Sequence, residues 1–135
     1  MREIWKRMRS FLFGFSSVFI TLLLVLPAPA QVKSEVEPND SREQALEIRL
    51  GESTRGVFQK AGDEDFYRLI IDAPGKTLVQ IDLSAVPGVD GAVSLYDDKR
   101  NEIWRANEVG KNGPESIFNL ALAQGVYDID VWVLA

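Results

Sequence analysis

Val126-Tyr127-Asp128-Ile129-Asp130-Val131-Trp132-Val133 alternates strictly. Tyr127, Ile129, Val131 and Val133 point one way, and Asp128, Asp130 and Trp132 point the other. A period of two with one apolar face is the pattern of a half-buried antiparallel strand. The same period recurs upstream. Tyr67, Leu69 and Ile71 oppose Arg68 and Asp72; Val79, Ile81 and Leu83 oppose Gln80 and Asp82; Val93 and Leu95 repeat it. Pro74-Gly75, Pro87-Gly88, Asp90-Gly91, Asn112-Gly113-Pro114 and Gln124-Gly125 fall between the apolar runs and read as turns. These signals predict about seven strands, near residues 55–59, 66–71, 77–83, 92–96, 103–106, 116–122 and 126–134. Short strands at this spacing mean an all-β, antiparallel sandwich or barrel. Ser41-Arg42-Glu43-Gln44 has the form of a capping box and predicts one short helical turn before Ala45 and Leu46.

Two acidic blocks precede the long strands. Glu35-Val36-Glu37-Pro38-Asn39-Asp40-Ser41 carries three carboxylates and an amide, and Gly62-Asp63-Glu64-Asp65-Phe66-Tyr67 carries three more carboxylates at the mouth of a strand. Oxygen-only groups at this density suit a hard cation, Ca²⁺ above all. A plainer reading stands beside it, in which Asp40 or Ser41 caps the helical turn and Asp63 and Asp65 fill a turn. Asp97-Asp98-Lys99-Arg100-Asn101-Glu102 is also acidic but lacks EF-hand spacing, and it reads as a solvated hairpin turn. Trp104 and Trp132 read as strand packing, with an aromatic platform for sugar or peptide as the alternative.

The first thirty residues read as a signal peptide, not as part of the fold. Arg2, Lys6, Arg7 and Arg9 form a basic start, residues 11–26 are uncharged and mostly apolar, and Ala28-Pro29-Ala30 offers small residues for cleavage before Gln31. Retention as a membrane anchor is the alternative. Residues 31–135 then form one domain, secreted or periplasmic. Of 15 basic and 20 acidic residues in the chain, the leader holds four and one, so 11 and 19 remain, a net of −8. That balance argues against nucleic acid and anionic membrane surfaces. The chain has no cysteine and no histidine. Disulfides, an acylated lipoprotein anchor, thiolate or imidazole zinc sites, and Ser-His-Asp or Cys-His nucleophiles are thereby excluded. Glycoside hydrolysis on a carboxylate pair stays open in principle, although the domain is small for a substrate cleft.

The order of these motifs carries a resemblance. Glu-x-Glu-Pro-Asn-Asp-Ser is followed by an Ala-Leu turn, Gly56-Val57-Phe58, and Gly-Asp-x-Asp-x-Tyr. Then come Val93-Ser94-Leu95-Tyr96-Asp97 and Leu-Ala-x-Gly-x-Tyr-Asp-Ile-Asp-Val at residues 122–131. The chain from Glu35 to Val133 resembles the bacterial pre-peptidase C-terminal domain family, which includes the collagen-binding modules of clostridial collagenases. The resemblance implies a jelly-roll-like sandwich of two antiparallel sheets without catalytic activity. It implies an accessory or binding role of the kind appended to extracellular proteases. It also implies a calcium site built by Glu35, Glu37, Asn39 and Asp40 from the first block and Asp63 and Asp65 from the second. Two departures from the family pattern stand out: no protease domain precedes the module, and the sequence stops in a strand after which family members add another. The expectation is a domain lacking its last strand, with an unpaired edge beside an uncovered apolar strip. Collagen, another protein, a polysaccharide and an attached protease all remain open as partners. The rival expectation is a metal-free structural or interaction protein of the envelope or periplasm.

Overall fold

Two 20-residue strands, β4 (Glu64–Leu83) and β7 (Glu115–Leu134), dominate the computed structural model, which describes residues 32–134. The predicted signal peptide lies outside the described residues. The other strands are β1 (Val32–Ser34), β2 (Leu46–Ile48), β3 (Ser53–Arg55), β5 (Asp90–Tyr96) and β6 (Glu102–Ala106). The predicted short helical turn is present as a 3-10 turn, Arg42–Gln44. Ser41 makes no backbone cap there; its hydroxyl meets the Gln44 side chain instead, at 2.9 Å.

The main sheet has the order β2-β4-β7-β5-β6, with β7 antiparallel to both of its neighbours. The fold is therefore all-β. It departs from a purely antiparallel design at two short pairs: β2 runs parallel to β4, and β1 runs parallel to β3 in a separate two-stranded sheet. The predicted strand at 55–59 is also displaced, since β3 ends at Arg55 and residues 56–59 are not strand.

The sequence suggested four strands where two exist. Residues 66–71 and 77–83 are one strand, as are 116–122 and 126–134. Pro74-Gly75 and Gln124-Gly125 interrupt the ladder without ending it. Between Ile71↔Gly125 and Lys76↔Ala123, β4 spends four residues against the single Gln124 of β7. Such a bulge bends a strand pair. Gly75 sits there at φ 85°, a left-handed conformation that glycine adopts without strain. The Tyr127 hydroxyl donates to the Ala123 carbonyl at 3.0 Å and straps the bend.

The ribbon folds back on itself. A straight strand of this length would reach about 65 Å. Instead Leu83, at the far end of β4, packs onto Gly91, and Gly91 is paired with Val133 at the near end. The two halves of the ribbon thus face one another in a sandwich-like arrangement across one core. Tyr67, Leu69, Ile71, Val93, Leu95 and Ile129 enter the core from one layer, and Val79, Ile117 and Leu122 from the other. The alternation predicted for these positions is present: Arg68 and Asp72 face away from the core while Leu69 and Ile71 are buried in it.

On the β4 side the layers do not close. Among the described residues, Lys76–Leu83 pairs only with β7. Its free edge borders an open groove of about 880 Å³, floored by Leu69, Val79, Val93, Ile129 and Val131. Trp104 and Trp132 form no joint platform. Trp104 lies opposite Leu95 on the core side of edge strand β6 and is half exposed. Trp132 lies opposite Ala92 on the outer face, under the Arg105 guanidinium at 5.2 Å.

Ile117 and Leu95 are fully buried. Truncating either to alanine is expected to cost about 2–5 kcal/mol in urea denaturation. Leu78→Ser, at a position 75 % exposed on the back of the same ribbon, is expected to change stability by less than about 0.5 kcal/mol.

Candidate metal site

The first acidic block runs from the end of β1 toward the start of β4. The Glu35 N–H donates to the Arg55 carbonyl at 3.0 Å, continuing the β1–β3 pairing by one residue. The Asn39 carbonyl accepts from the Phe66 N–H at 2.9 Å and ties the block to β4. These two backbone anchors set the side chains of residues 35–39 beside Asp65. Asp65 is the second residue of β4, and the pleat turns it to the same face as Tyr67.

One carboxylate oxygen from each of Glu35, Glu37 and Asp65 lies within 4.8 Å of the others. Oxygens this close can be ligands of one cation, since opposite oxygens around an ion such as Ca²⁺ stand about 4.6–5.2 Å apart. The Glu35 carboxylate is held by two donors, the Val57 N–H and, at 2.8 Å, the Tyr67 hydroxyl. Glu37 accepts from the Asn39 N–H at 3.1 Å through one oxygen, and its other oxygen is buried without a partner.

Asn39 is fully buried, and neither polar atom of its amide has a hydrogen-bond partner. Asp65 is 2 % exposed, with Oδ1 likewise unpartnered. Buried polar groups are nearly always paired, because leaving one unpaired costs about 1–3 kcal/mol. Unmet acceptors beside converging carboxylates fit a cation better than they fit a finished hydrogen-bond network.

Asp40 and Asp63 stand apart from this trio. Asp63 is buried and accepts from the Gln59 N–H at 2.5 Å. Lys60 Nζ lies 3.8 Å from Asp63 and 3.6 Å from the exposed Asp40. The two form a lysine-neutralised flank to the cluster. Their field still reaches its centre. Burial, then the charges of Glu35, Asp63, Glu37 and Asp40, push the Asp65 carboxyl up to about 7. Burial and the Glu35 carboxylate push the Tyr67 phenol upward, so it remains a proton donor to Glu35.

The sequence reading missed two participants. In the sequence Tyr67 belongs to the Gly-Asp-x-Asp-x-Tyr motif and to the core face of a strand, and Gly56-Val57 to a strand, with no role at the site for either. The available signal was the spacing Asp65-x-Tyr67, which puts both side chains on one face of a strand.

A second polar group lies on the outer face of the main sheet. Arg42 sits 4.2 Å above the Tyr96 ring and 3.8 Å from Asp128, which also meets Arg68 at 3.4 Å. Asp130 and Ser94 are cross-strand partners there, both buried, each with an unpartnered oxygen. Burial pushes Asp130 up to about 6; Glu64 adds to the shift, while Arg42 and Arg105 oppose it. The Asp97 segment is the hairpin turn expected from sequence, with its carboxylate accepting from the Lys99 and Asn101 N–H groups.

In comparison with known proteins, no family model and no curated protein matches the chain.

Both raised carboxyls act on stability in the same direction. Between pH 4 and 7 the folded chain holds protons on Asp65 and Asp130 that the unfolded chain has released. Stability in chelator is therefore expected to fall as pH rises from about 4 to 7 and to level off above. Urea midpoints measured at several pH values test this, and Asp65→Asn is expected to flatten the upper part of the profile.

Proposed function

We propose that this chain is a secreted, non-catalytic accessory or binding module with a Ca²⁺ site, built on a jelly-roll-like β-sandwich of the pre-peptidase C-terminal type. The observation that carries the metal reading is the meeting of Glu35, Glu37 and Asp65, from segments thirty residues apart, around buried and unpartnered oxygens of Asp65 and Asn39. Ca²⁺ takes six to eight oxygens. Glu35, Glu37, Asp65 and Asn39 are the primary candidates to supply them, with Asp63 and Asp40 adjacent. The ion would neutralise the repulsion among these carboxylates and staple the segment after β1 to the start of β4. The non-catalytic part of the reading is supported by convergence. Glycosidase carboxylates flank a substrate in a cleft, whereas three carboxylate oxygens converge here within 4.8 Å of one another.

The module class and secretion rest on the motif order and the leader-like first thirty residues. The family's link to extracellular proteases makes an extracellular protein or polysaccharide the expected partner.

The metal-free reading has one observation of its own. Each oxygen of the Glu35 carboxylate already accepts a hydrogen bond, as does one oxygen of Glu37. With a proton on Asp65 the block can serve as a structural clasp.

Calorimetric titration with CaCl₂ and melting in Ca²⁺ or chelator separate the two readings. At ten times Kd, mass action adds about 1.4 kcal/mol, which raises Tm by about 5 °C or more for a domain of this size. Asp65→Asn is expected to abolish that rise while leaving the chelator Tm at pH 7.5 unchanged or higher. No heat of binding and no shift in Tm at about 10 mM Ca²⁺ would reject the metal site.

A further inference from the structure

Among the described residues, Gly56 is the one glycine whose missing side chain is replaced by a carboxylate. A Cβ built on it would stand 2.8 Å from Cδ and 2.9 Å from Oε1 of Glu35, closer than such atoms approach. Its backbone does not explain the glycine. Gly51, Gly62, Gly75, Gly88 and Gly110 occupy left-handed conformations, and Gly56 does not. The three heavy atoms nearest to an added Cβ all belong to the Glu35 carboxylate, the far end of a flexible side chain.

The next residue supplies the Val57 N–H to that same carboxylate, and across the site Tyr67 supplies its hydroxyl at 2.8 Å. The Glu35 carboxylate is thus pressed against bare backbone on one side and tethered from the core on the other. Glu35 belongs to the β1 side and Asp65 to β4, so without these three features its side chain has no reason to turn inward toward other negative charges.

We propose that Gly56 and Tyr67 are positioning residues of the metal site: the gap at Gly56 and the Tyr67 hydroxyl hold the Glu35 carboxylate in the ligand cluster, and neither touches the ion. This rests on the metal reading above. Its own observations are the Glu35 carboxylate filling the space beside Gly56 and the Tyr67 hydroxyl donating to it. Partners that orient metal ligands affect affinity by about 10–100-fold when removed.

The test uses the full chain with Ca²⁺ as the probe. Kd is measured by calorimetry and Tm in chelator, for wild type, Gly56→Ala and Tyr67→Phe. Gly56→Ala is expected to weaken Ca²⁺ binding by at least about tenfold. Its Tm in chelator is expected to stay within about 5 °C of wild type, because the displaced carboxylate can swing into solvent. Tyr67→Phe keeps the core ring, removes only the hydroxyl, and is expected to weaken binding in the same direction. It decides the matter if Gly56→Ala does not fold. Wild type that binds while both variants bind equally well overturns the positioning role and leaves the metal site standing. A fall in chelator Tm with an unchanged Kd assigns Gly56 and Tyr67 to stability alone and also overturns it. Wild type that takes up no Ca²⁺ removes the site and this inference together.

Discussion

The pairing of β4 with β7 is the interaction on which the rest of the molecule depends. It runs from Glu64↔Trp132 to Leu83↔Glu115 and is interrupted twice. Because the ribbon folds at the first interruption, a single strand pair supplies both layers of the core. β5 and β6 complete one layer by adding to the outer edge of β7, and β2 adds to β4 on the other side. The acidic site is a dependent of this ribbon too. Asp65 and Tyr67 take their direction from the pleat of β4, and the Asn39 carbonyl docks on the Phe66 N–H at the same strand end.

Charge is distributed around that frame in two different ways. On the outer face, carboxylates are met by arginines: Asp128 by Arg42 and Arg68, with Arg42 also lying over Phe66 and Tyr96. At the mouth of β4, Glu35, Glu37 and Asp65 meet one another, and the nearby Lys60 is turned to Asp40 and Asp63. Repulsion of that kind persists in a fold only where something offsets it. Hydrogen bonds from Val57, Tyr67 and Asn39 supply part of the offset, and the raised proton affinity of Asp65 supplies another.

Much of this was legible in the chain. The faces carrying Tyr67, Leu69 and Ile71, and Ile129 and Val131, follow from period-two alternation, and the acidic blocks announced themselves by density. What could not be read was whether Pro74-Gly75 and Gln124-Gly125 end strands or bend them. Both outcomes need the same residues, and only the partner strand decides. The parallel pairs of β1 with β3 and β2 with β4 were equally hidden, since three residues carry no measurable period. Within the site, Glu35, Glu37 and Asp65 were grouped by the family resemblance, together with Asn39, Asp40 and Asp63. The diversion of Asp40 and Asp63 to Lys60 depends on where a loop lysine lands, and the role of Gly56 depends on a steric contact 21 residues away from it in sequence.

The nesting of the ribbon has a kinetic meaning. At its inner end Leu83 meets Glu115 across 32 residues of chain; at its outer end Glu64 meets Trp132 across 68. Between them lies the local β5–β6 hairpin, closed by the Asp97–Asn101 turn. Closing larger loops costs more chain entropy, so the hairpin and the inner end of the ribbon are the cheapest contacts to form, and the outer end the dearest. The mouth of β4, where Asp65 and Tyr67 sit, belongs to that outer end. The acidic cluster thus sits where chain closure is entropically dearest, so the repulsion among its carboxylates adds to the largest loop-closure cost in the ribbon.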